Sequence, residues 1–123
     1  MNEQAFRDRT KRLGLRVIRL VETLPSNGAA GVIGKQLLRS GTSVGANYRA
    51  ACRAKSPADM LAKLAIVEEE ADESLYWMEL LIEAELISST RLTDLMQETD
   101  EITALIVASI KTLRQRNGTA KSS

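Results

Sequence analysis

With 123 residues the chain has room for one domain and a single modest core. Histidine is absent and cysteine occurs once, at Cys52. That excludes Ser-His and Cys-His nucleophile pairs, the commonest zinc ligand and an internal disulfide. Lys and Arg number 17 against 16 Asp and Glu, yet the balance is +8 over residues 1–55 and −7 over residues 56–123, a basic front and an acidic back.

Few aromatics and two prolines, set against plentiful Ala, Leu, Ile and Glu, favour helix. No apolar run approaches the ~20 residues that cross a bilayer. The charged opening from Met1 to Arg12 lacks the apolar core of a signal peptide. A lone thiol fits a reducing compartment. The expectation is a cytoplasmic protein without a membrane partner.

The first predicted helix runs from about residue 3 to residue 24, where Pro25-Ser26-Asn27-Gly28 stops it. At roughly 100° per residue, Phe6, Leu13, Val17, Leu20 and Leu24 share its apolar face. The second predicted helix, about 30–54, crosses Ser40-Gly41-Thr42-Ser43-Val44-Gly45-Ala46-Asn47, which taken alone has the composition of a loop. Ile33, Leu37, Val44, Tyr48 and Ala51 nevertheless hold one helical face through it. Gln36, Ser40, Ser43 and Asn47 form a polar seam beside that face. We read one continuous helix, with a break at Gly41 as the alternative.

Ser56-Pro57 opens the third helix, with Ser56 as N-cap, Pro57 at the first position and Asp59 at the positive end of the dipole. Its core stripe is Met60, Leu64, Val67, Ala71, Leu75, Met78 and Ile82. Ser88-Ser89-Thr90 caps a fourth helix carrying Leu92, Leu95, Ile102, Ile106, Ile110 and Leu113, expected to fade near Asn117-Gly118. Short connections predict an all-α, antiparallel up-and-down four-helix bundle over residues 1–116, with a disordered tail over 117–123.

The run from Gln36 to Arg49, QLLRSGTSVGANYR, resembles the signature of bacterial four-helix-bundle proteins named after intervening sequences in 23S ribosomal RNA genes. The segments Ala51–Lys55, Lys63–Glu69 and Tyr76–Leu81 extend the similarity to about residues 6–115. The resemblance implies an up-and-down bundle that assembles as a ring-shaped homopentamer, with no established enzyme activity. A related branch comprises accessory variability proteins of diversity-generating retroelements, which bind nucleic acid and a reverse transcriptase through basic surfaces. The near-neutral charge of this chain departs from that strongly basic branch.

Two kinds of surface follow from the residues. On the third helix Ile66, Trp77, Leu80 and Leu81 fall outside the core stripe, beside Glu70 and Glu73. A contiguous apolar face of this kind marks an interaction site, and Trp is enriched at interface hot spots. We expect a subunit contact there. The alternative is that both faces of a central helix serve one core.

Charge forms rows. Arg9, Arg12, Arg16 and Arg19 line one edge of the first helix, and Lys35, Arg39, Arg49 and Arg53 lie away from the core on the second. Glu68, Asp72, Glu79 and Glu83 align on the third. Opposite signs on one protomer suit head-to-tail contact, which closes into a ring if the rotation permits. A row of four cations also suits RNA or DNA phosphates, read without sequence preference.

Other chemistry is poorly supported. Carboxylates at i, i+4, such as Glu68 with Asp72, lack the Glu-x-x-His partner of di-metal bundles. Cys52, near Arg49 and Arg53, is either a reactive thiol or a small filler. We therefore expect no catalytic, metal or cofactor site.

Overall fold

Asn2 and Ser56 each start a helix by accepting an N–H three residues on, from Ala5 at 3.0 Å and from Asp59 at 3.1 Å. The computed structural model describes the backbone of residues 2–122 and side chains through residue 117. It contains α1 (Glu3–Glu22), α2 (Gly28–Cys52), α3 (Pro57–Glu83) and α4 (Ser89–Ser122). All four expected helices are present, and the bundle is all-α.

α2 runs unbroken through Gly41 and Gly45. Each interior glycine costs a helix about 1 kcal/mol relative to alanine, and close packing on α1 offsets that cost. A Cβ at Gly41 would fall 2.8–2.9 Å from the Val17 methyls, and one at Gly45 would fall 3.2 Å from the Thr10 backbone. Thr10 lies beside Gly45 and Gly14 beside Thr42, so numbers rise along α1 as they fall along α2. The two helices are antiparallel. The turn before α2 depends on another glycine: a Cβ at Gly31 would meet the Ser26 carbonyl at 2.6 Å.

α3 ends at Ala84, after which Glu85 adopts φ +59° and the N–H groups of Leu86 and Ile87 reach back to the Leu81 carbonyl. α4 continues past the expected stop at Asn117-Gly118 as far as Ser122. Of the tail expected to be disordered over 117–123, the side chains beyond Asn117 and all of Ser123 lie outside the described residues.

The core follows the predicted stripes. Phe6, Leu13 and Val17 of α1, Leu37, Val44 and Tyr48 of α2, Leu64, Val67, Ala71 and Met78 of α3, and Leu92, Ile102 and Ile106 of α4 are buried. Phe6 and Tyr48 close one end with an edge-to-face contact, centroids 4.7 Å apart. α2 lies between α1 and α3, and α4 packs on α3. The α1–α4 contact is much smaller. Arg9 pins it, with Glu98 and Glu101 of α4 around its guanidinium.

Of the polar seam on α2, one member crosses to another helix. The Ser74 hydroxyl meets Ser40 at 2.9 Å in the buried α2–α3 contact, whereas Ser43 and Asn47 donate to carbonyls of their own helix.

Candidate functional site

The outward side of α3 carries Ile66 and Tyr76, 40% and 52% exposed, with Trp77 and Leu80 half-buried beside them. The rings of Tyr76 and Trp77 meet edge-to-face at 5.1 Å. The Trp77 indole Nε1 is covered and has no hydrogen-bond partner among the described residues. Glu69 is exposed on the same side, and Glu70 and Glu73 are half-buried.

Leu81 does not belong to this surface. It is fully buried, three residues after Met78 on the edge of the core face, where α3 turns it inward. Leu81 is therefore removed from the expected interface set. Glu70 and Glu73 are engaged inside the protomer: both pair with Arg39 of α2, Glu70 at 3.2 Å.

Tyr76 was not among the residues picked out from the sequence for this surface. The signal was present in the spacing Ile66, Glu69, Glu73, Tyr76, Leu80, alternating steps of three and four that place the five on one helical line.

The basic rows separate into engaged and free members. Arg9 donates two hydrogen bonds to Glu98, at 2.8 and 2.7 Å, and one to Glu101 at 3.0 Å. These bonds raise the Arg9 pKa and hold the Glu98 carboxyl below the usual range. Arg39 is tied to Glu73 and Glu70, and its pKa is likewise raised. Arg12, Arg19, Lys35, Arg49 and Arg53 are exposed and Arg16 is half-exposed, and none of them forms an ion pair among the described residues. Opposite them, Asp72, Glu79 and Glu83 of α3 are exposed and Glu68 is half-buried.

The glycine-mediated approach of α1 and α2 leaves a groove of about 380 Å³ on their outer side. Its lining combines the small residues Gly14, Gly45 and Ala46, the apolar Leu15 and Ile18, and the charged Arg7, Asp8, Lys11 and Arg49. Leu15 and Ile18 are 43% and 38% exposed. The core stripe drew attention away from them, because they sit on the opposite side of α1.

Cys52 is half-buried beside Tyr48 and Glu3, and burial pushes its thiol up to about 11. It is protonated at neutral pH, which suits a filler and not a nucleophile. Among the described residues there is no group of three or more potential metal ligands, and no helix long and apolar enough to cross a membrane.

Residues 3–108 match the family described as 23S rRNA-intervening sequence protein. A solved structure from Bacteroides thetaiotaomicron, a protein of unknown function from the S23 ribosomal protein family, is similar at 39% identity. The match covers 86% of this chain and 98% of that one, with a TM-score of 0.81. No curated protein matches. With the glycine-notched α2 and the four-helix frame in place, the chain belongs to the 23S rRNA-intervening sequence protein family.

Proposed function

We propose that the protein is a non-catalytic cytoplasmic scaffold built from identical copies in a ring, five in number as the family resemblance implies. The observation that carries this reading is the exposure of Ile66 and Tyr76 together on α3. Half-buried Trp77 and Leu80 extend them into an apolar surface that a lone bundle leaves in water. Cations on α1 and α2 and carboxylates on α3 that are free of ion pairs among the described residues support a contact between identical copies, because one protomer presents both signs. Light scattering at micromolar concentration tests the reading. A mass five times 13.5 kDa is expected, and a monomer would overturn it.

A second reading is a nucleic-acid-binding accessory factor, and in the retroelement branch a partner of a reverse transcriptase. Its support is the free edge of α1, Arg12, Arg16 and Arg19, which follows one side of the helix. Arg9, within that edge, is engaged with Glu98 and contributes less. Retention of an RNA or DNA duplex on a filter should weaken steeply between low and moderate salt. No retention at low salt would exclude this role.

A further inference from the structure

We propose that the α1–α2 groove is a binding site for a small amphiphilic anion, an apolar body ending in one carboxylate or phosphate. The lining includes no residue of α3 and none of Arg12, Arg16 and Arg19, so the site stands apart from both readings above.

Antiparallel packing of α1 and α2 sorts the lining by chemistry. A Cβ at Gly45 would stand 3.4 Å from the Lys11 nitrogen, and one at Gly14 would stand 3.7 Å from the Thr42 Cα. Those two approaches fix the levels. Arg49 lies one turn beyond Gly45 on α2, and Arg7 lies one turn before Lys11 on α1, so both fall toward the same end as Lys11. Leu15 follows Gly14 at the Thr42 level, and Ile18 lies about a turn further on. One end of the groove is therefore charged and the other apolar.

The charged end favours an anion. Arg7, Lys11 and Arg49 line it with a single acid, Asp8. None of the three cations forms an ion pair among the described residues. Asp8 accepts from the Gln4 amide at 3.0 Å, and the Gln4 carbonyl accepts from Arg7 at 2.9 Å. Arg7 is thus held by a neutral partner. α2 adds no acidic residue anywhere in its 25 positions. Two guanidinium groups and an ammonium converging on one end suit a carboxylate or a phosphate.

The opposite end favours an apolar body. Leu15 and Ile18 are exposed there, and Gly14, Gly45 and Ala46 raise nothing larger than a methyl between the two ends. The volume of about 380 Å³ lies toward the low end for small-molecule sites, roughly 300–1,000 Å³. Duplex phosphates would meet the cations and leave Leu15 and Ile18 in water, and a bare inorganic anion would do the same. An amphiphile covers both ends at once.

Dye titration tests the site. Anilinonaphthalene sulfonate, an aromatic body with one anionic group, should brighten on the wild type. Dodecanoate and dodecyl phosphate, each below its micelle-forming concentration, should displace it, and the one effective at lower concentration names the headgroup. Inorganic phosphate and dodecanol should displace little. Ala46→Trp, which fills the groove, and Arg49→Glu, which reverses one cation, should each weaken dye binding several-fold at unchanged helix content. Tyr76→Glu, on α3, should leave it as it was. Should Ala46→Trp fail to fold, Lys11→Glu takes its place. Equal displacement by dodecanol would mean a plain apolar surface. Displacement by inorganic phosphate or an RNA duplex, but not by the alkyl anions, would mean a simple phosphate site. Binding untouched by Arg49→Glu, or lost with Tyr76→Glu, would put the dye on another face. Each of these results overturns the proposal.

Discussion

The hydroxyls of Ser40 and Ser74 meet 2.9 Å apart inside the α2–α3 contact, both almost entirely buried. Each also has a carbonyl of its own helix within reach, Leu37 for Ser40 at 3.4 Å and Glu70 for Ser74 at 2.8 Å. Neither hydroxyl is stranded when the other is removed. Ser40→Ala should therefore cost about 1 kcal/mol, the net value of one buried hydrogen bond. In a urea double-mutant cycle, Ser40→Ala and Ser74→Ala together should cost less than the sum of the singles. Full additivity would mean that the cross-helix bond contributes nothing.

Gly41 makes a steeper prediction. Alanine would gain about 1 kcal/mol of helix propensity, but its methyl would collide with Val17 at 2.8 Å. Gly41→Ala should destabilise the bundle by about 1–3 kcal/mol, the usual range for overpacking. Adding Val17→Ala should recover part of that loss, an inversion of its ordinary effect. A urea midpoint for Gly41→Ala at or above wild type would contradict the close approach of α1 and α2.

Arg9 and Glu98 predict a pH dependence. The Glu98 carboxyl is depressed in the fold, so the unfolded chain takes up its proton first as pH falls. The stability it supplies is complete above the ordinary carboxyl value of 4.5 and is lost as pH falls through the lower folded value. Glu98→Gln should cost about 1 kcal/mol at pH 7, and the gap from wild type should narrow as pH falls below 4.5 and through the depressed folded value. A gap unchanged between pH 7 and pH 3 would rule out the ion pair as its source.

Glu85 holds a left-handed backbone at the end of α3, with φ +59°. That conformation costs a side chain about 1 kcal/mol and costs glycine nothing. Glu85→Gly should raise stability by up to about 1 kcal/mol, partly offset by the greater freedom of glycine in the unfolded chain. Thermal unfolding followed by circular dichroism checks the sign.

Much of the bundle is legible in the chain because helical periodicity is local. Phe6, Leu13 and Val17 mark their face without knowledge of any neighbour, and Val44 and Tyr48 carry the α2 face across two glycines. What periodicity leaves open is the edge of a face. Trp77 and Leu81, one turn apart, sit on the same margin of α3, and only the placement of the neighbouring helices makes Leu81 core and leaves Trp77 half-buried. Ion pairs are equally hidden: Arg9 and Glu98 are 89 residues apart, so Arg9 reads as a free member of a basic edge until the helices are placed. The groove was missed for a related reason. Packing two helices closely through Gly14 and Gly45 also shapes the outside of their seam, and that closeness shows only once the helices are placed.

Sedimentation velocity of the wild type beside Tyr76→Glu, with helix content checked by circular dichroism, puts the self-association of α3 to the most direct test. Wild type should sediment as a multimer, and the variant, with its charge set among Glu69 and Glu73, as a folded 13.5 kDa species. Identical sedimentation of the two proteins would contradict any role for the outward side of α3 in holding copies together.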